Sequence, residues 1–178
     1  MNDVEFLKEA DKGYTGTLIT GSSTGGLTVT VDATAKTFTI TAGAASWAAC
    51  GLAVGDSVTF TGFADGGNNS TFVATTIVGL VLTCSAAAGL VDVVADGGVT
   101  AFVSTKLVYT GAGKLGRLRV ETGAITITPK DNTTAIWGTV DSTAELVLCE
   151  TPLRFNTSLK LTFSATGSAY VLYRGRIT

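Results

Sequence analysis

The segment Leu27–Val31 reads Leu-Thr-Val-Thr-Val, and this alternation of apolar and polar side chains decides the fold class. The same pattern returns in Thr37–Thr41, which reads Thr-Phe-Thr-Ile-Thr, and in Ser57–Thr61, which reads Ser-Val-Thr-Phe-Thr. Successive side chains of a β-strand point to opposite faces of its sheet. A period of two therefore predicts strands with one buried and one exposed face.

The composition of the whole chain agrees with these segments. The 178 residues include 22 glycines, and 46% of the residues are hydrophobic while only 15% are charged. Val and Thr suit a pleated sheet because they branch at Cβ, and Gly supplies the positive φ angles of tight turns. Similar segments recur to the end of the chain at a spacing of about 8–12 residues. We expect an all-β protein with two small antiparallel β-sandwich or barrel-like domains, preceded by a short N-terminal arm.

The charges divide the chain into parts of different sign. Residues 105–178 carry nine basic and five acidic side chains, a balance of +4, whereas residues 26–104 sum to −4 and residues 1–25 to −2. We predict an N-terminal arm and linker over 1–25, a small β-module over 26–104 and a C-terminal β-sandwich domain over 105–178. The surplus is too small to predict direct nucleic-acid binding, but it suits an acidic protein surface.

Several kinds of chemistry lack their usual residues in this sequence. Histidine is absent and the three cysteines are widely spaced, so we predict no zinc site and no histidine-dependent catalytic triad. The turn cluster with Asp65, Asn68 and Asn69 offers oxygen ligands for calcium, but side chains that bond their own backbone explain it more simply. Gly111–Gly113 precedes Lys114 without a helix pattern, which predicts a hairpin turn and not a phosphate loop. We expect no enzyme activity, no cofactor and no metal.

Two regions are candidates for binding a partner. The first residues predict a short helix that presents Phe6 and Leu7, and residues 14–20 could add a strand to the edge of a partner's sheet. The basic C-terminal part is the alternative. No apolar run is long enough to cross a membrane, and the N-terminus lacks the features of a signal peptide. The predicted partner-binding residues are Phe6, Leu7, Tyr14, Leu18 and Ile19 from the N-terminal segment, and Arg117, Arg119 and Arg174 from the basic part.

Residues 36–94 resemble a small β-module of tailed-phage tail-tube and other virion proteins. The quoted elements of the resemblance are the strand Thr37–Ile40, the pair Ser46-Trp47, the turn Val54–Asp56, the strand that ends at Gly62, the pair Asn68-Asn69 and the segments Phe72-Val73 and Leu80–Leu82. This module usually has Gly after the Asn pair. Ser70 and Thr71 stand there in this chain, which puts the type of that turn in doubt.

Residues 106–174 resemble a β-sandwich domain of phage capsid-associated proteins, including head decoration and fibre proteins. The segments that carry this resemblance are Tyr109–Gly111, Ile125–Ile127, Lys130–Thr134, Thr151–Phe155 and Ala169–Tyr173. The resemblance implies a decoration or cement protein, made in the host cytoplasm, that binds the major capsid protein on the outer surface of the capsid. It also implies a homo-oligomer, with a trimer favoured. A tail-tube subunit and a glycan-binding fibre domain are the alternatives.

Overall fold

The structure is a computed structural model that describes residues 13–85, 89–142, 145–147 and 152–175, with residues 145–147 described by their backbone. It confirms the all-β class, with 64% of the described residues in strands. One 3-10 turn, Gly66–Asn68, interrupts the strands, and the described residues contain no helix long and apolar enough to cross a membrane.

Fifteen strands follow each other along the described chain. They are β1 (Thr15–Gly21), β2 (Ser23–Asp32), β3 (Thr37–Ala42), β4 (Ser57–Thr61), β5 (Thr71–Val78), β6 (Val81–Cys84), β7 (Val93–Thr110), β8 (Gly113–Thr122), β9 (Thr126–Asp131), β10 (Thr134–Ala135), β11 (Val140–Asp141), β12 (Glu145–Val147), β13 (Leu153–Phe155), β14 (Ser158–Phe163) and β15 (Gly167–Gly175).

The strands fall into two compact units. We call Gly21–Lys106 the barrel unit, and Met1–Thr20 together with Leu107–Thr178 the terminal unit. The unit borders thus follow residues 20 and 106, whereas the sequence predicted domain borders after residues 25 and 104. The long strand β7 belongs to the barrel unit up to Lys106 and to the terminal unit from Leu107.

The barrel unit is a closed ring of six antiparallel strands. Its order is β7-β2-β3-β6-β5-β4, and β4 pairs with β7 to close the ring. The predicted alternation holds, because Phe38, Ile40, Val58 and Phe60 point inward and are buried while the threonines between them are partly exposed. Four phenylalanine rings pack with Trp47 in the interior, and the rings of Phe38 and Phe60 stack with centroids 4.6 Å apart.

The terminal unit has two layers of strands. One sheet has the order β1-β15-β8-β12, and β13 also pairs with β8. In the other layer β9 pairs with β10, β11 and β14, and β14 neighbours β7. The core between the strands is apolar; its largest fully buried side chains are Leu115, Leu118, Ile127, Phe155 and Leu159.

The linker predicted at the end of residues 1–25 is not found, because β1 ends at Gly21 and β2 begins at Ser23, with Ser22 alone between them. The glycines serve a bulged strand: the register shifts between Thr24 and Leu27, and Gly26 has a φ of +71°. Backbones also approach closely here, since a Cβ on Gly43 would lie 2.6 Å from the carbonyl oxygen of Gly26. A cluster of Gly and Ser thus marks a bulge in this strand and not a flexible connection.

Two strands pair irregularly with their neighbours, and one predicted turn differs. The long strand β7 continues through residues 99–110, and its register shifts accommodate Gly98 with its φ of +78°. The short strands β10 and β11 both pair with β9, because the chain leaves β9 and returns to it. The turn at Gly111 is no hairpin, since β7 and β8 lie in different sheets.

Candidate functional site

Strand register places three basic side chains side by side in the terminal unit. Arg174 on β15 lies opposite Lys114 on β8, and Arg154 on β13 lies opposite Lys114 on its other side. Residues directly opposite each other in neighbouring strands share a face of the sheet, and like charges in that arrangement destabilise it. Within the described chain, Lys114 and Arg154 make no ion pair. We call Arg174, Lys114 and Arg154 the cation row.

The cation row lines a pocket of about 510 Å³ that is formed by residues 112–114, 154–156 and 174–175. Gly113 lies opposite both Gly175 and Phe155, and these positions face away from the cation row because side chains alternate along a strand. A Cβ on Gly113 would clash with the Phe155 ring and with the carbonyl oxygen of Arg174. Since Phe155 is buried, the packing of β8 against β13 requires glycine at this position.

Tyr14 packs against Arg174 at one end of the cation row. The guanidinium carbon of Arg174 lies 4.9 Å from the centroid of the Tyr14 ring, a cation–π arrangement. Tyr14 is 7% exposed and its ring covers Gly116, where a Cβ would come within 2.7 Å of Tyr14 Cε1. The structure thus brings two predicted site residues together, but it gives Tyr14 the role of a buried support for Arg174.

Asp131 stabilises the turn that follows β13, next to the Arg154 side of the pocket. Its Oδ2 accepts a hydrogen bond from the backbone N–H of Asn156 at 2.7 Å. Its Oδ1 accepts from the backbone N–H groups of Thr157 and Ser158 at 2.9 and 3.1 Å. Burial alone raises the pKa of Asp131, but the three backbone hydrogen bonds outweigh it and lower the pKa below the usual 3.8. The carboxylate is therefore charged at neutral pH and fixes the turn.

Arg117 and Arg119, also predicted to bind a partner, lie further along β8 than the cation row. Arg119 donates from Nε and Nη2 to the same carboxylate oxygen of Glu121, at 2.8 and 2.6 Å, so a neighbour on its own strand neutralises it. Arg117 lies opposite Leu172 on β15. Burial raises the pKa of the Tyr170 phenol, which lies opposite Arg119, while the two arginines act to lower it.

The remaining predicted residues lie away from the pocket lining or outside the described residues. Phe6 and Leu7 belong to the latter. Leu18 is 59% exposed and Ile19 is half-buried, both on β1, which neighbours β15 in the chain's own sheet. This segment therefore supplies β1 to the chain's own sheet, and its addition to a partner's sheet stays a prediction.

Sequence reasoning missed Lys114, Arg154, Asn156 and Asp131 as parts of a site. Each of them was visible as a polar residue at a strand end or turn. Nothing in the linear sequence sets Lys114 between Arg154 and Arg174, because that alignment depends on the register of three strands. The one available signal was the count of basic residues in the C-terminal part.

Other polar groups that the sequence drew attention to serve the barrel unit itself. Asp65 accepts a hydrogen bond from the N–H of Gly67 at 2.9 Å, and the fully buried Asn68 bonds both the N–H and the carbonyl oxygen of Val91. Asn69 bonds both backbone groups of Phe63 in the same way. The explanation by turn hydrogen bonds therefore accounts for this cluster. The described residues contain no group of three metal-binding side chains.

Two further groups of the barrel unit are buried and structural. Lys106 Nζ contacts Asp56 Oδ2 at 2.5 Å and the carbonyl oxygen of Gly51 at 2.8 Å, and Asp56 is 1% exposed. Cys50 and Cys84 are buried free thiols, and burial raises the pKa of Cys84 to about 12. A thiol with such a pKa stays protonated at neutral pH and is a poor nucleophile.

No protein-family model, no curated protein and no solved structure matches this chain.

Proposed function

We propose that the chain is a structural protein of a virus particle that decorates the assembled head and binds other protein subunits through the pocket of the cation row. The observation that carries the proposal is the alignment of Arg174, Lys114 and Arg154 across three neighbouring strands. Together with the two segments that resemble virion proteins, this alignment favours a binding role over a catalytic one.

The three cations of the row repel each other, which lowers the stability of the free chain. An acidic partner surface would remove this repulsion, so the cation row is suited to binding such a partner. Like charges opposite each other in a sheet repel, by roughly 0.2–1 kcal/mol per pair. Carboxylates placed between them convert repulsion into charge-assisted hydrogen bonds, which are stronger than neutral ones. Positive charge on one face also speeds encounter with an acidic surface and makes it sensitive to salt.

The sequence offers two docking regions, the N-terminal segment and the basic C-terminal part. The pocket belongs to the second, which we favour. The segment 14–20 pairs with β15 and Tyr14 supports Arg174, so this part of the N-terminal segment serves the terminal unit. In the basic part, in contrast, Lys114 lies between two arginines, Arg154 and Arg174, and no acidic residue lies opposite it on β13 or β15. We therefore assign docking on the major capsid protein to the pocket.

We also propose that copies of the chain associate with each other, as a trimer. The resemblance implies such an oligomer, and an apolar turn of the barrel unit supports self-association. Val78, Leu80 and Val81 at the turn between β5 and β6 are 69%, 41% and 37% exposed. Adjacent exposed apolar side chains are typical of protein contacts. Light scattering after size exclusion should give the mass of a trimer, and Val78→Asp should reduce it; a monomeric wild-type chain would contradict this proposal.

The function is tested on purified particles whose genome encodes the chain. Electron microscopy should reveal the protein as density on the outer surface of the head, and deletion of the gene should remove that density and make heads less resistant to heat and low salt. Density along the tail would favour the tail-tube alternative. Binding to host-surface glycans without any contribution to head stability would favour the fibre alternative. Absence of the protein from particles would end the proposal.

Two double variants test whether the protein binds heads through the pocket. Lys114→Gln/Arg154→Gln removes two charges from the cation row and should abolish binding of the added protein to heads that lack it. Lys130→Gln/Lys160→Gln removes two charges that also lie opposite each other, on β9 and β14, outside the pocket lining. The second variant should bind heads nearly as well as the unaltered chain. Equal loss in both variants would mean that net charge, and not the pocket, drives attachment.

A further inference from the structure

We infer that the pocket of the cation row binds an extended acidic segment of the partner protein, with two carboxylates two residues apart. This inference rests on the proposed subunit-binding function and specifies the chemistry of the surface that is bound. It follows from the spacing of the cations and the volume of the pocket.

The spacing of the cation row suits a pair of carboxylates. Neighbouring strands lie about 4.8 Å apart, so Arg174, Lys114 and Arg154 span roughly 10 Å across β15, β8 and β13. In an extended chain, side chains two residues apart point the same way and lie about 6.6 Å from each other. A segment that runs across these strands would place one carboxylate between Arg174 and Lys114 and the next between Lys114 and Arg154.

The pocket has room for more than one side chain. Its volume of about 510 Å³ is larger than a single carboxylate needs. Ala112, Gly113 and Gly175 also belong to its lining. The exposed residue Asn156 lines the Arg154 side, where its side chain offers an amide.

A row of cations is less suited to a phosphate group. Phosphate sites concentrate backbone N–H groups and charge around one point, as at a helix N-terminus or a backbone nest. Here the positive charges are spread along a line, and the N–H groups of Asn156, Thr157 and Ser158 already donate to Asp131.

The test measures binding of labelled peptides to the full chain by fluorescence anisotropy at low salt. The probe peptide contains Asp-Gly-Asp within Gly and Ser residues. One control has Asp-Asp, whose side chains point to opposite sides, and a second has Asn-Gly-Asn. Inorganic phosphate and an oligosaccharide with uronic acid groups serve as competitors, which separate a carboxylate pair from other anions.

We expect the Asp-Gly-Asp peptide to bind about tenfold more tightly than the Asp-Asp peptide, because only the former engages all three cations with both carboxylates. The Asn-Gly-Asn peptide should not bind. Lys114→Gln/Arg154→Gln should weaken binding of the Asp-Gly-Asp peptide at least tenfold, whereas Lys130→Gln/Lys160→Gln should leave it within about twofold. The two acidic peptides binding equally, phosphate or the oligosaccharide competing at lower concentration than the peptide, or an unaffected pocket variant would each overturn the inference.

The outcomes for the pocket and for the proposed function can be told apart. Peptide binding uses only the purified chain, while the function is tested on particles. A chain that binds the peptide but is absent from particles keeps the acidic specificity and overturns the virion role. A chain that decorates heads but does not distinguish the two acidic peptides keeps the role and overturns the inference about its partner's carboxylates.

Discussion

The barrel unit and the terminal unit differ in where they place basic side chains relative to other charges. In the barrel unit, Asp56 is buried against Lys106 and Asn68 is buried against the backbone of Val91, so its buried polar groups are used within the unit. In the terminal unit, Lys114 and Arg154 line up with Arg174 and make no ion pair within the described chain. The difference teaches that the barrel unit compensates the charge that it buries, whereas one face of the terminal unit places like charges next to each other, an arrangement that costs stability.

The largest expected effect is a loss of stability when the aromatic core of the barrel unit is truncated. Phe60 is fully buried and its ring packs against Phe38, Phe63, Phe72 and Trp47. Phe60→Ala should lower the free energy of unfolding by about 3–5 kcal/mol, because it removes apolar contacts and leaves a cavity. Denaturant titration followed by tryptophan fluorescence measures the loss. Val94→Ala is the control, since Val94 is 90% exposed and its truncation should change stability very little.

A smaller loss is expected where the barrel unit buries a charge pair. Asp56→Asn should destabilise the protein by roughly 2–3 kcal/mol, because it leaves the ammonium group of Lys106 without its carboxylate. The value stands below that for a fully buried pair, since the Lys106 side chain is 16% exposed. The double variant Asp56→Asn/Lys106→Met should lose less than the sum of the two single variants in the same denaturant titration. Additive losses would show that the two residues act independently.

The turn that borders the pocket gives a pH-dependent prediction. The folded-state pKa of Asp131 lies below the usual 3.8, so its contribution to stability is complete above that pH and is lost as the pH falls through the folded value. The unaltered chain should therefore be more stable than Asp131→Asn at neutral pH. Thermal unfolding at a series of pH values should show this difference shrinking below about pH 4. A difference that stays constant into acid would mean that the charge of Asp131 does not hold the turn.

The smallest expected effect tests whether repulsion within the cation row lowers the stability of the terminal unit. Arg154→Gln should raise the free energy of unfolding by a few tenths of a kcal/mol, because it relieves repulsion with Lys114, while it weakens binding to an acidic partner. Denaturant titrations at low and at high salt measure the change in the free energy of unfolding, and the increase should become smaller at high salt because salt screens the repulsion. Arg119→Gln is the control and should give no gain, since it breaks the pair with Glu121. A loss of stability in Arg154→Gln would contradict the view that the row is held at a cost.

Much of the fold could be predicted from local sequence, and the site could not. The alternation in residues 37–41 and 57–61 correctly predicted β3 and β4, because side-chain period and strand geometry are local properties. The glycines of residues 21–26 misled the prediction, since their role in a bulge depends on the approach of Gly43 from the next strand. The sequence singles out both Tyr14 and Arg174 as site residues, but their contact depends on how the residue before β1 packs against β15.

The sequence by itself determined that this chain forms sheets, where most of its strands run and that its basic residues collect in the C-terminal part, because these features depend on neighbouring residues and on counts. The tertiary structure alone decided that β4 closes a barrel on β7 and that Arg154 and Arg174 lie on either side of Lys114. Those arrangements depend on the register of strands that are distant along the chain. Register is set by packing and bulges throughout a unit, and a slip of one residue would turn Lys114 to the other face.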